Sequence, residues 1–253
     1  MKKIPNHLKA LVALLITFLT NSTVHAAVAF PTLTVGMNQA NTPQEFTQGV
    51  QILILLTILT LAPSIFIMCT AFIRIIIVLA LTRQAIGTAT LPPNQVLAGL
   101  ALILTFFVMA PTFNKINETA IQPYMKNEIT QQVALDKAVL PLREFMIEHT
   151  DEKELALFLS MGKIEKPKEW KDVPTYTIIP AYVLSELKTS FKIGFVIFLP
   201  FLVIDIVVAS ILVAMGMLFL PPTTVAMPFK LILFVMIDGW YLITKTLLEG
   251  FIT

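Results

Sequence analysis

The stretch from Pro180 to Trp240 constrains this chain more than any other. It is a long apolar segment, a Pro221-Pro222 break, and a second apolar segment running back. Six charged residues lie inside it: Glu186, Lys188, Lys192, Asp205, Lys230 and Asp238. Charges within a membrane segment are rare, face the protein interior, and pair with one another or mark a functional path. Any fold of this chain must therefore give each of them a partner or an aqueous place.

Composition agrees. Of 253 residues, 56% are hydrophobic and 13% charged, where a soluble domain carries about 25% charged residues. The mean hydropathy is +0.81, and the chain reads as an integral membrane protein. A net charge of +2 without a basic, aromatic-laced stripe argues against nucleic acid. The single cysteine, Cys69, sits in an apolar run and reads as a small buried residue. Two of three histidines, His7 and His25, are N-terminal, so His149 alone remains and a zinc site is not expected.

Residues 1–26 read as a secretory signal. Lys2, Lys3 and Lys9 precede the short apolar run Ala10–Thr20, and Val24-His25-Ala26 places cleavage after Ala26. Residues 27–45 hold Pro, Gly, Asn and Thr without periodicity and are expected to be extended and exterior. Residues 46–113 form a first apolar hairpin. Its first arm, Phe46 to about Leu81, is expected to kink at Pro63. Arg74 and Arg83 mark its cytoplasmic end, with Arg74 either snorkelling or paired. Its second arm is Gln95–Phe113.

Residues 114–180 change character. Positions 115–192 hold 23 of the 34 charged residues, and the pattern predicts helices over 121–135, 140–149 and 151–161, with Thr150 as an N-cap. This is expected to be a small exterior helical domain. Residues 181–253 form a second hairpin. Its first helix, 181–219, is too long for a bilayer and too polar in its first third to sit in lipid. The last segment, 225–251, crosses back. The fold class is thus all-α: two long helical hairpins with a small exterior domain between them. A faint parallel echo links LPPNQVLAGLALILTFF at Leu91 to LPPTTVAMPFKLILFVM at Leu220.

No enzymatic constellation is present in the sequence. The nine glycines build no phosphate loop, and Ser64 and Ser210 lack an activating histidine. The charges Arg74, Asp205, Lys230 and Asp238 are the better lead. Lys230 and Asp238 stand about 80° apart on a helix, and Glu186 is a further partner. Structural pairing is favoured over a proton relay, because both signs balance. Met215, Gly216, Met217, Leu218 and Phe219 end the long helix at the Pro-Pro break. They read either as ordinary apolar cover or as a soft constriction that excludes water, which needs several copies around an axis.

PAYVLSELKTSFKIGFVIFLPFLVIDIVVASILVAMGM and MPFKLILFVMIDGW resemble the two diagnostic blocks of the FliP family, the core subunit of the flagellar type III protein export gate. LPPNQVLAGLALILTFFVMAPT is similar to that family too, and the resemblance covers residues 46–253. It implies an all-helical subunit of the inner membrane and flagellar basal body, with a periplasmic central domain. It implies assembly in several copies with FliQ and FliR, FlhB and FlhA as neighbours, and passage of unfolded flagellar proteins. It implies no cofactor and no catalysis. The family's inter-subunit ion pair falls on Glu186 and Lys230. Its methionine gasket falls on the loop after Gly216, where this chain has Met217, Leu218 and Phe219, with Met215 before the glycine. Injectisome export gates share these blocks but usually lack a cleaved signal. A stand-alone proton-coupled transporter is the remaining alternative.

Overall fold

The computed structural model describes residues 43–251 except 89, 165, 166 and 168, with side-chain surroundings from residue 50 onward. The signal reading, cleavage at Ala26 and residues 27–42 lie outside the described residues. The chain divides into a unit of residues 1–53 and a unit of residues 54–253, which holds every site discussed below. Among the described residues the secondary structure is entirely helical.

Helix α1 runs Pro43–Met68 and α2 runs Phe72–Ile86. The expected first arm is therefore two helices. The interruption falls not at Pro63, which the helix accommodates, but at Cys69-Thr70-Ala71. The buried Tyr182 hydroxyl supplies the reason, donating to the Thr70 carbonyl at 2.9 Å. A carbonyl released from its helix is stable in a buried place only with such a donor. The two helices differ sharply in burial. None of the 50–68 window is buried, whereas Ile75, Val78 and Leu79 of α2 are fully covered. Gly87 ends α2 at φ 90° and donates to Gln84, a left-handed cap that favours glycine.

Helix α3 (Asn94–Ile116) continues through a π-helical turn, Asn117–Ile121, into the short α4 (Gln122–Met125). Pro111 lies inside α3 rather than ending it. Helix α5 spans Gln131–Glu148 and α6 spans Glu152–Met161. The expected break near residues 136–139 falls instead at 126–130, where Asn127 takes φ 59°, a region asparagine tolerates. Pro141 is absorbed within α5. Thr150 does not cap α6: its hydroxyl turns back to the Met146 carbonyl of α5, and Asp151 holds the N-cap position.

Helix α7 spans Thr175–Ala214 and passes through both Pro180 and Pro200. Its 40 residues make it about 60 Å long, against about 30 Å of hydrocarbon. The expected final crossing is broken: α8 (Pro222–Met236) and α9 (Gly239–Glu249) meet at 63°. Asp238 stands at the break with φ 51°. Gly239 lies so close to the Phe234 ring that a Cβ there would collide with it.

The core forms where α7 lies along α2, with α3, α6 and α8 packed beside it. Gly194 permits the close approach, because a Cβ would run into Leu81. Val50–Met68, Asn94–Met125 and Thr175–Ala214 are long and apolar enough to cross a membrane, and the bent α8–α9 pair is a fourth candidate. The chain is a membrane protein by this measure.

Candidate functional site

Two buried ion pairs hang on α7. In the first, Arg74 of α2 grips Glu186 side-on, with Nε donating to Oε2 at 2.8 Å and Nη2 to Oε1 at 2.5 Å. Glu186 is 0% exposed and Arg74 5%. The third guanidinium nitrogen, Nη1, donates to the Gly250 carbonyl at 2.7 Å. The Phe251 ring lies 3.8 Å from the guanidinium carbon. That ring also contacts Phe145 and His149 at the end of α5. A planar fork with its donors in use and an aromatic face beneath it is what arginine offers and lysine does not. Arg74 therefore does not snorkel. Nor does it mark the end opposite the charged central region, since it shares a cluster with residues of that region.

The second pair joins Lys230 of α8 to Asp205 of α7 at 2.6 Å, with a longer contact from Lys230 to the Ala85 carbonyl in the last turn of α2. A cation there complements the helix C-terminus. Asp205 is partly open, yet its Oδ1 is buried without a hydrogen-bond partner among the described residues. Asp238 is exposed at the α8–α9 break and is not paired with Lys230. Glu186 and Lys230, which the family resemblance joins across subunits, do not meet within one chain. Glu186 and Asp205, the partner of Lys230, lie about 28 Å apart along α7.

The loop after α7 is closed by backbone alone. Met217 donates to the Leu212 carbonyl and Gly216 to Val213, with Gly216 at φ 73°. This is a Schellman stop, and it requires the left-handed residue. Pro222 then opens α8 at its first position, where its missing N–H is harmless. Met215, Met217, Leu218 and Phe219 are left facing outward, Phe219 completely. Four apolar side chains are thus presented on a short connector that the chain covers only in part, and Phe219 not at all among the described residues.

The central segment is tied to the start of α7. Lys188 binds Asp151 at 2.6 Å and Glu154 at 2.9 Å, and the Asp151 N–H donates to the Ser185 hydroxyl. The hydrogen bond from Lys188 holds the Asp151 carboxyl below its usual range. Arg143 donates to Thr175, Lys171 and Val173 and so fixes the chain where it turns into α7. Sequence reasoning overlooked Arg143, Tyr182 and Phe251. Arg143 lies in a charged region, where an arginine carries no distinguishing signal. Among the described residues no cluster of His, Cys, Asp and Glu could hold a metal.

A model of the FliP family matches residues 55–247. The flagellar biosynthetic protein FliP of Bacillus subtilis is 53% identical over 209 residues, covering 83% of this chain and 95% of its own. That of Pectobacterium carotovorum is 50% identical, covering 83% and 82%, and that of Aquifex aeolicus 46%, covering 82% and 87%. The match takes in both ion pairs, the Gly216 loop and the α8–α9 break, and the chain belongs to the FliP family.

Proposed function

We propose that this chain is a structural, channel-forming subunit of the flagellar type III protein export gate. It works in several copies with FliQ and FliR, beside FlhB and FlhA, and passes unfolded flagellar proteins across the inner membrane. The segment 114–180 is periplasmic in this reading, and the two hairpins, 46–113 and 181–253, face partners more than lipid. One observation carries it: Glu186, Lys188 and Asp205 of α7 are paired inside the chain, while most of its apolar surface from Phe195 onward and the loop at Met215–Leu220 are bare. A single chain encloses no path with these side chains, so a ring of copies is the arrangement that gives the loop a purpose. Met215, Met217, Leu218 and Phe219 then converge on the axis and exclude water when no substrate is present. In this reading Glu186 and Lys230 join neighbouring copies, and the Arg74–Glu186 and Asp205–Lys230 pairs formed within one chain open on assembly to let them meet.

The test is a Phe219→Ser, Met217→Ser double variant in the flagellated cell. The complex with FliQ and FliR still forms at wild-type yield, while ion leakage through it rises. Unchanged leakage, or transport by the purified chain alone, sinks the reading.

A further inference from the structure

The break between α8 and α9 leaves a wedge against α7. Because the two helices diverge by 63°, they cannot both follow the straight stripe that α7 presents at Ile193, Ile197 and Phe201. The gap is a cavity of about 500 Å³, walled on the other side by Phe234, Leu242 and Ile243. Gly239 sits at its corner, pressed on Phe234. The lining holds one hydroxyl, Thr246, which already donates to the Leu242 carbonyl.

It also holds one charge, Lys192, at the N-terminal end of the α7 stripe. Lys192 is exposed and forms no ion pair among the described residues. The carboxylate that feels its charge, Asp151, is bound by Lys188. Along α7 the next charge after Lys192 is Asp205. The lysine thus stands at the border between a polar belt, with Lys188, Asp151 and Glu154, and an apolar run.

We propose that this wedge binds one acyl chain of an anionic phospholipid, its phosphate held by the Lys192 ammonium. The volume lies in the range of about 300–1,000 Å³ of small-molecule clefts. An apolar cavity stays dry and takes apolar guests, and in a bilayer the guest at hand is hydrocarbon. The single cation at the mouth selects the headgroup, since a lysine flanking an apolar segment reaches for the phosphate level.

The test uses Trp240, whose ring lies 5.2 Å from Phe234 at the wedge wall. Trp170 is the other tryptophan, so Trp170→Phe makes the signal specific. The full chain is reconstituted in phosphatidylcholine vesicles containing a minor fraction of brominated phosphatidylglycerol or brominated phosphatidylcholine. Brominated phosphatidylglycerol quenches Trp240 with about a five-fold preference, the size expected of one cation near a headgroup. Lys192→Gln, a change at an exposed residue, brings the two lipids to parity. Ile197→Phe fills the wedge and likewise removes the preference, leaving only the quenching of the exposed ring that both lipids share. Parity in the unaltered wedge, or a preference that survives Lys192→Gln, overturns the proposal.

Discussion

The two halves of α7 follow opposite rules. Eight of its ten buried residues precede position 195, and they include Thr177, Ser185, Glu186 and Ser190. The later half is nearly all apolar, yet only Phe201 and Leu212 are buried. A soluble helix would do the reverse, hiding its apolar side and showing its polar one. The first half is a core finished by the chain itself: Arg74, Gly250 and Phe251 close over it, and its own Tyr182 reaches the Thr70 carbonyl. The second half is a surface finished by something else, and the bare loop at Gly216 continues it.

That contrast is broken most directly at Glu186. Glu186→Ala strands a buried guanidinium, and removing one member of such a pair costs about 3–5 kcal/mol. The detergent-extracted chain should aggregate at a much lower temperature, while Arg74→Met with Glu186→Leu recovers most of the loss. If Glu186→Ala lowers only the yield of the multi-subunit complex and leaves the chain's own melting untouched, the residue acts between copies alone and its grip on Arg74 adds nothing to the chain. Next in size is Gly239→Ala. The added methyl meets the Phe234 ring, and overpacking of this kind costs about 1–3 kcal/mol; a melting temperature equal to wild type would show that the α8–α9 bend relaxes freely.

Asp205→Asn sharpens the comparison on the second half of α7. Lys230 loses a charged acceptor on a side that is already partly open, so the loss stays near the low end of the about 1.5–3 kcal/mol for such a bond. A larger loss than at Glu186 would reverse the ranking of the two halves. The smallest effect is at Asp151. Its carboxyl is held below the ordinary aspartate value by Lys188, so the stabilisation is complete above an unfolded value of about 3.9. It disappears as pH falls through the lower folded value, and salt weakens it wherever the carboxylate is charged. Proteolysis of the segment 150–175 in a pH series checks this, with Asp151→Asn expected to flatten the response below about pH 4. Cleavage that accelerates already at neutral pH would place the weak point elsewhere.

Legibility followed the distance over which each signal acts. Helices and turns depend on neighbours within a turn, so the Pro221-Pro222 break was visible in the residues, whereas the helix expected over 181–219 stops earlier, at Ala214, where Gly216 caps it. The positions of three breaks, at Thr70, Asn127 and Asp238, were not. Proline is the strongest local breaker, yet Pro63, Pro111 and Pro141 all lie inside helices. The real breaks at Thr70 and Asp238 are set by Tyr182 and by contact with Phe234, both of which need the fold to be in place. The ion pairs show the same limit. Their members stood out as charges in apolar surroundings, but Arg74 and Glu186 are 112 positions apart, and spacing along one helix cannot connect them.

By itself the sequence determined that the chain is helical, that it is a membrane protein, and that a handful of charges inside apolar helices matter. Those conclusions rest on hydropathy and local stereochemistry, which are properties of short segments. Only the tertiary structure decided who answers each charge: Arg74 for Glu186, Asp205 for Lys230, and Lys188 for Asp151. A buried charge is satisfied by whichever opposite group the packed helices bring within about 3 Å, and that choice exists only once α2, α7 and α8 lie side by side.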